Sequence, residues 1–201
     1  DIRATASSLT APAPSVAGIY VNGGTTVNIV YNTVYLNATS TGLNFGTAAL
    51  YSSTTSNLSS INNILVNASA PNGTGKAVAF QRSSTTLSTY TSSSNNNILY
   101  AGTPGANNLI FFDGTNSDQT IGAFKIRVSP SDGVSATENV SFISTTGSNA
   151  NFLHVTAGST WVESGGTPVT GITIDFDGTT RNATTPDIGA DEINGTAIVL
   201  A

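Results

Sequence analysis

The chain has 201 residues, only 8% of them are charged, and its formal net charge at pH 7 is −5. The six basic residues are scattered, which excludes the clustered basic surface that nucleic-acid binding requires. No apolar run approaches the roughly 18 residues of a membrane-spanning helix, so no membrane span is expected, and the absence of cysteine excludes disulfides and thiolate metal sites.

Acidic residues are missing from a long part of the sequence. Residues 2–112 contain no Asp or Glu, and Asn, Ser and Thr supply nearly all of the polar side chains there. Identical charges stacked on one another would repel, whereas small polar side chains bond to the backbone or to each other. This composition is therefore typical of a tightly stacked repeat.

The first segments read as an irregular lead-in followed by short strands. Residues 1–17 carry Pro12 and Pro14 and predict an N-terminal edge. Residues 18–21, 26–31 and 33–36 are rich in β-branched and aromatic side chains and are bounded by Gly, Asn or Ser, which predicts strands.

The same strands recur at a period of about thirty residues. The phrase at 31–39 returns at 61–69 and more loosely at 94–101, and segments at 48–51, 77–80 and 109–112 repeat the strand at 18–21. Three short strands per coil predict an all-β right-handed parallel β-helix, a β-solenoid, in preference to an antiparallel sandwich. Its coils are expected over 18–151, followed by a C-terminal capping segment.

Asparagines precede a strand in each copy. Asn32, Asn62 and Asn96 are expected at sharp turns, because Asn tolerates left-handed backbone and its amide can bond along the stacking direction. The sequence predicts a ladder of these three side chains, with an Asn-rich loop without a ladder as the alternative.

The rhythm loosens after residue 112. Residues 113–136 predict an excursion from the stack with a short helix at 118–127, and residues 138–143 return to a strand pattern. Residues 152–201 are expected to form the cap and the start of a linker to a flanking domain.

Two phrases in the C-terminal segment resemble a known family. Asp175-Phe176-Asp177-Gly178-Thr179-Thr180-Arg181 and Pro186-Asp187-Ile188-Gly189-Ala190-Asp191-Glu192 are similar to the closing signature of large secreted parallel β-helix proteins of Bacteroidota and related bacteria. Residues 152–155 and 159–165 resemble the phrase that precedes it, with Trp161-Val162-Glu163 replacing its usual residues. The resemblance implies an exported, multidomain surface protein, often a substrate of type IX secretion, in an extracellular or cell-surface location.

The Asp175–Asp177–Gly178 group resembles the opening of a calcium loop but lacks the remaining oxygen ligands. Calcium at Asp175 and Asp177 is therefore the weaker expectation. The favoured alternative is an ion-pair clamp between an aspartate and Arg181 that closes the last coil, with Asp187 and Glu192 fixing the turn.

Catalytic residues are hard to assemble from this sequence, and no catalytic, cofactor-binding or metal site is assigned. A glycosidase needs two nearby carboxylates, which the acid-free coils cannot supply, and only Lys76 and Arg82 could act there as bases. His154, the sole histidine, is expected to be structural. The remaining candidate acids are scattered over loops: Asp113, Asp118, Asp132, Glu138 and Glu163.

The expected function is a non-catalytic structural or adhesive module: a stalk, an adhesin segment or a filament component. Its partners would be further copies of itself or surface glycans. Carbohydrate binding is the first alternative, since tyrosines can stack on sugar rings, and a β-helix polysaccharide lyase or glycosidase is the second. The tyrosines considered are Tyr20, Tyr31, Tyr35, Tyr51, Tyr90 and Tyr100. Seven glycosylation sequons leave glycosylation open: Asn37, Asn57, Asn67, Asn72, Asn139, Asn182 and Asn194.

Overall fold

The structure, a computed structural model, describes residues 13–198. Short β-strands form most of its regular structure, and those of the coils are β1 (Val16–Val21), β2 (Thr26–Val30), β3 (Thr33–Leu36), β4 (Thr47–Ser52), β5 (Asn57–Ile61), β6 (Ile64–Asn67), β7 (Ala77–Arg82), β8 (Ile98–Tyr100) and β9 (Asn108–Phe112). Beyond them lie β10 (Ser117–Asp118), helix α1 (Ile121–Val128), β11 (Ser159–Thr160) and β12 (Thr196–Ala197).

The coil strands stack in parallel on three faces. One sheet has the order β1-β4-β7-β9, a second pairs β2 with β5, and a third has the order β3-β6-β8. Consecutive strands of each sheet are one coil apart in sequence, so the chain winds through about three turns of roughly 31 residues. The predicted parallel β-helix of about thirty residues per coil is confirmed.

Apolar side chains from successive coils stack inside the solenoid. Leu50 pairs in register with Ile19 on one side and Phe80 on the other, and Phe80 pairs with Phe111. Every residue of β4, β6 and β7 is buried, whereas β1 to β3 of the first coil keep partly exposed positions. The middle coils are therefore covered on both sides by their neighbours.

The asparagine ladder exists, but two of its three residues differ from those predicted. Asn63 Oδ1 accepts hydrogen bonds from the backbone N–H of Asn32 at 2.9 Å and from its side-chain amide at 3.0 Å. Asn97 Oδ1 accepts the same two bonds from Asn63, each at 3.0 Å. The ladder is Asn32–Asn63–Asn97, one residue out of the predicted register at its second and third steps.

The residues that precede the ladder make the sharp turn. Tyr31, Asn62 and Asn96 adopt left-handed backbone with φ of 55°, 57° and 56°. Two asparagines at this corner have separate roles, since one takes the strained backbone and the next bonds along the stack. The predicted left-handed turn is therefore confirmed at Asn62 and Asn96, whereas in the first coil Tyr31 makes the turn. The prediction that the same asparagine also forms the ladder was wrong for the second and third coils.

A buried aspartate continues the ladder beyond the last asparagine. Asp132 Oδ1 accepts from the Asn97 side chain at 2.9 Å and from the Ser135 hydroxyl at 2.6 Å, and its Oδ2 accepts from the Tyr90 hydroxyl at 2.6 Å. Burial raises the pKa of Asp132. The carboxylate thus ends the polar ladder where the chain returns to the stack, and Ala136 bridges to Ile98.

The predicted excursion contains the predicted short helix. Thr120 caps α1 by accepting a bond from the Ala123 N–H at 3.3 Å. Phe124 is fully buried, with its ring centroid 5.4 Å from that of Phe111 and 6.1 Å from that of Phe80. The helix therefore covers the apolar interior at the end of the last coil.

The C-terminal segment packs along the side of the coils. The Thr167 carbonyl accepts bonds from the Tyr31 hydroxyl at 2.9 Å and from the Asn62 amide at 2.7 Å, and the Gly165 carbonyl accepts from the Asn96 amide at 2.8 Å. These contacts reach the same corner of three successive coils. We call residues 163–193 the lateral brace.

Residues 1–12 and 199–201 lie outside the described residues, and with them most of the predicted lead-in and the end of the predicted linker. In the described part of the chain, no helix has both the length and the apolar character needed to cross a bilayer.

Replacing the central ladder residue should destabilise the fold strongly. Asn63 is fully buried, and Asn63→Ala removes its side-chain bonds to Asn32, Ile29 and Asn97, so we expect a loss of about 3 kcal/mol in the free energy of unfolding, measured in urea. Asn63→Asp should cost more, because it places an unpaired charge in the stack.

The control is Asn37→Ala, which removes an exposed asparagine and should change stability by less than about 0.5 kcal/mol. Equal stabilities for Asn63→Ala and Asn37→Ala would contradict the ladder.

Candidate functional site

The five acids considered for catalysis are each held by hydrogen bonds within the fold. Asp113 accepts from the N–H groups of Thr115 and Asn116 at 3.0 and 2.7 Å, so it closes a turn. Asp118 forms a two-pronged ion pair with Arg127, and one of the two bonds measures 2.8 Å. This pair raises the pKa of Arg127 through its hydrogen bonds.

The glutamates and Asp132 have the same kind of role. Glu138 accepts from the Thr160 hydroxyl at 2.8 Å and from the Trp161 N–H at 2.9 Å. Glu163 accepts from the Gly195 N–H at 2.7 Å and from a neighbouring serine hydroxyl. Asp132 ends the ladder inside the stack. The structure therefore places these acids in separate structural contacts and does not assemble them around a cleft.

The two basic residues of the coils are also engaged. Lys76 donates to the Ala106 carbonyl at 3.0 Å and lies 5.3 Å from the centroid of the Phe112 ring. Arg82 is fully buried and donates to the Thr89 hydroxyl at 2.6 Å. Burial lowers the pKa of the Arg82 guanidinium.

Asp175 caps the turn that was expected to open a calcium loop. Its Oδ1 accepts from the N–H groups of Asp177 and Thr179 at 3.0 and 2.7 Å, and its Oδ2 accepts from the Glu192 N–H at 2.9 Å. Gly178 takes a φ of 86° to complete the turn. Three backbone donors thus occupy the carboxylate, and calcium at Asp175 and Asp177 stays a prediction.

Arg181 forms the centre of the lateral brace, with a different partner from the one predicted. It pairs with Glu192 at 3.1 Å, and it donates to the carbonyls of Gly189 and Ala190 at 3.1 and 2.7 Å. Its guanidinium also lies 4.0 Å from the centroid of the Tyr31 ring. The predicted clamp between an aspartate and Arg181 was wrong, because the acid is a glutamate and the arginine stacks on the first coil.

Asp187 and Glu192 fix the turn at the end of the brace, as the sequence predicts. Asp187 accepts from the N–H groups of Ser164 and Ile193, both at 2.6 Å, and its own N–H donates to Glu192 Oε1 at 2.9 Å. Burial raises the pKa of Asp187 to about 6, with Glu163 and Glu192 adding to the rise.

One group of side chains is assembled only by the fold. His154 Nε2 lies 3.1 Å from Asp177 Oδ2 and 3.9 Å from Asp191 Oδ2, and one ligand atom from each of the three residues falls within 4.8 Å of the others. Burial also raises the pKa of Asp191. The sequence gives no signal for this group, because the three residues come from separate turns and share no ligand spacing.

The tyrosines are mainly part of the packing. Tyr31, Tyr51 and Tyr90 are buried, whereas Tyr20 is 53% exposed and stacks on Tyr51 with ring centroids 4.6 Å apart. A pocket of about 280 Å³ lies beside the start of α1, between Tyr100, Pro104, Ile110, Thr120 and Glu138. Among the described tyrosines, Tyr20 is the most exposed.

Comparisons with protein family models, with curated proteins and with solved structures find no match for this chain. The contacts of the described residues are therefore the evidence that bears on function. They show a stacked scaffold whose acids mainly bind backbone N–H groups, together with one His–Asp–Asp cluster.

The raised pKa of Asp187 predicts a pH-dependent stability. Because its pKa in the folded protein is about 6 against an ordinary 3.8, the folded state holds the proton more tightly. The resulting stabilisation of the folded state is fully present below about pH 4. It is lost as the pH rises through 6, which lowers the free energy of unfolding by about 3 kcal/mol. Urea unfolding of the wild type and of Asp187→Asn between pH 4 and 7 measures it, and parallel pH profiles would contradict the assignment.

Alanine substitutions at two glycines with positive φ distinguish the effect of backbone strain from that of close packing. A Cβ at Gly189 would lie 2.6 Å from Ile64 Cδ1 and 2.8 Å from Thr33 Oγ1, whereas one at Gly178 meets nothing within 4 Å. Gly178→Ala should cost about 1 kcal/mol from strain alone, and Gly189→Ala about 3 kcal/mol, because it also lifts the brace from the coils. Thermal unfolding of both variants gives the comparison, and equal losses would show that the brace does not pack tightly there.

Proposed function

We propose that this chain is a structural β-helix module of a secreted or cell-surface bacterial protein, which serves as a stalk or adhesin segment. The observation that carries the proposal is the hydrogen bonding of the carboxylates. Asp113, Asp175, Asp187, Glu138 and Glu163 all accept hydrogen bonds from backbone N–H groups. Such bonds hold loops on a scaffold and leave these groups poorly placed to act on a substrate.

The two acids of the His154–Asp177–Asp191 cluster also fit a structural role. Asp177 and Asp191 approach within 4.8 Å, but the imidazole of His154 contacts both carboxylates. In a glycosidase the sugar lies between the two carboxyl groups, whereas here an imidazole lies against both of them. This arrangement supports a scaffold better than a glycosidase.

The lateral brace favours a load-bearing module. It joins three coils through Tyr31, Asn62 and Asn96, so separation of the coils would require several long-range hydrogen bonds to break together. The resemblance of residues 175–192 to the closing signature of secreted β-helix proteins supports the proposed location.

Carbohydrate binding is the second candidate, and Tyr20 is the observation that favours it. Its exposed ring is held flat against Tyr51, with an interplanar angle of 13°, and a flat aromatic surface of this kind can stack on a sugar ring. Binding on a glycan array that is abolished by Tyr20→Ala and kept by Tyr100→Ala would replace a passive stalk with an adhesin.

Protease treatment of intact cells that produce the native full-length protein tests the proposal. We expect an added protease to remove this region from the outside of unbroken cells, while a cytoplasmic control protein stays intact. Cleavage that appears only after lysis would contradict a surface location. Release of oligosaccharides from a panel of polysaccharides by the purified chain would contradict a non-catalytic role.

A further inference from the structure

The His154–Asp177–Asp191 cluster offers ligands of a kind that divalent transition metals prefer. One imidazole nitrogen and two carboxylate oxygens lie within 4.8 Å of one another. Zinc combines histidine and carboxylate ligands in this way, whereas calcium takes six to eight oxygens. The donor set therefore favours a transition metal over calcium.

A buried carboxylate oxygen without a partner is a separate observation at the same place. The Asp191 side chain is only 11% exposed, and its Oδ1 is fully buried with no hydrogen-bond partner among the described residues. The other oxygen, Oδ2, is 3.9 Å from His154 Nε2, which is too long for a hydrogen bond. Most buried carboxylate oxygens are satisfied, so this one needs an explanation.

The excess of acidic residues around the cluster also favours a bound cation. Residues 152–198 contain six acids but only one Lys or Arg, which is Arg181. Arg181 is bonded to Glu192 and to the carbonyls of Gly189 and Ala190, so these hydrogen bonds go to neighbours of Asp191. His154 and Arg181 attract the Asp191 carboxylate, whereas Asp177 and Asp175 repel it.

We propose that His154 Nε2 and the carboxylates of Asp177 and Asp191 bind one divalent transition-metal ion, with Zn²⁺ as its representative. Three protein ligands leave one position of a tetrahedral zinc site for water. The ion replaces the contact between His154 and Asp177 and neutralises the buried Asp191 carboxylate.

Metal binding at this place joins three turns that are distant in sequence. His154 lies before the lateral brace, Asp177 in its central turn, and Asp191 near its end. An ion that binds only the folded state stabilises it in proportion to the logarithm of its concentration. The site thus strengthens the brace and makes the stability of the module depend on metal.

Isothermal titration of the untagged, EDTA-treated chain with Zn²⁺, Mn²⁺ and Ca²⁺ tests the site. We expect one Zn²⁺ per chain, and an apparent melting temperature that rises by roughly 5–10 °C at a hundredfold excess over Kd. His154→Gln and Asp191→Asn should each lower the Zn²⁺ affinity at least tenfold. Asp113→Asn is the matched control, because it removes one carboxylate from a turn outside the cluster, and it should leave the affinity unchanged.

A spectroscopic readout keeps the test independent of stability. Because the chain has one histidine, a ¹⁵N spectrum of the imidazole contains the signals of His154 alone. Zn²⁺ should shift the Nε2 signal and leave Nδ1 protonated. No Zn²⁺ binding, or Zn²⁺ binding that His154→Gln leaves unchanged, would overturn the proposal. So would preferential Ca²⁺ binding that is lost in Asp175→Asn, which would move the ion to the calcium loop.

Discussion

Stacking the same position of every coil about 4.8 Å from its neighbour is the constraint on which this structure depends. At that spacing a charged side chain would face its own copy, whereas an amide can accept from the coil below and donate to the coil above. Asn63 does both, because it accepts from Asn32 in one neighbouring coil and donates to Asn97 in the other. This constraint explains why 111 consecutive residues contain no acid. The buried Asp132 lies where the ladder ends.

The ends and the corner of the stack need other solutions, and the structure uses two. Helix α1 covers the apolar interior beyond the last coil with Phe124. The lateral brace covers the corner where Tyr31, Asn62 and Asn96 have left-handed backbone. The sequence predicts that one C-terminal segment closes the stack. In the structure, α1 covers the end of the stack and the lateral brace covers its corner.

Much of the fold follows from the sequence, since strand length, turn residues and a period near thirty are local signals. The register of the ladder does not, because Asn62-Asn63 and Asn95-Asn96-Asn97 can each be aligned in more than one way. Tyr31 in left-handed backbone gives no sequence signal at all. The main partners of Glu163, Asp175 and Asp187 are backbone N–H groups, which carry no residue identity. His154, Asp177 and Asp191 meet only after three turns have folded.

Hydrogen exchange of the intact chain tests most directly whether coils and brace form one cooperative unit. The account predicts that amides of β5 and β6 in the second coil and the Gly166, Ile188 and Gly189 amides of the brace exchange with the same free energy of opening, since Gly189 donates to the Asn62 carbonyl at 2.8 Å. Fast exchange throughout the brace, with full protection of the coils, would show that the tail is a separate appendage and would contradict the account.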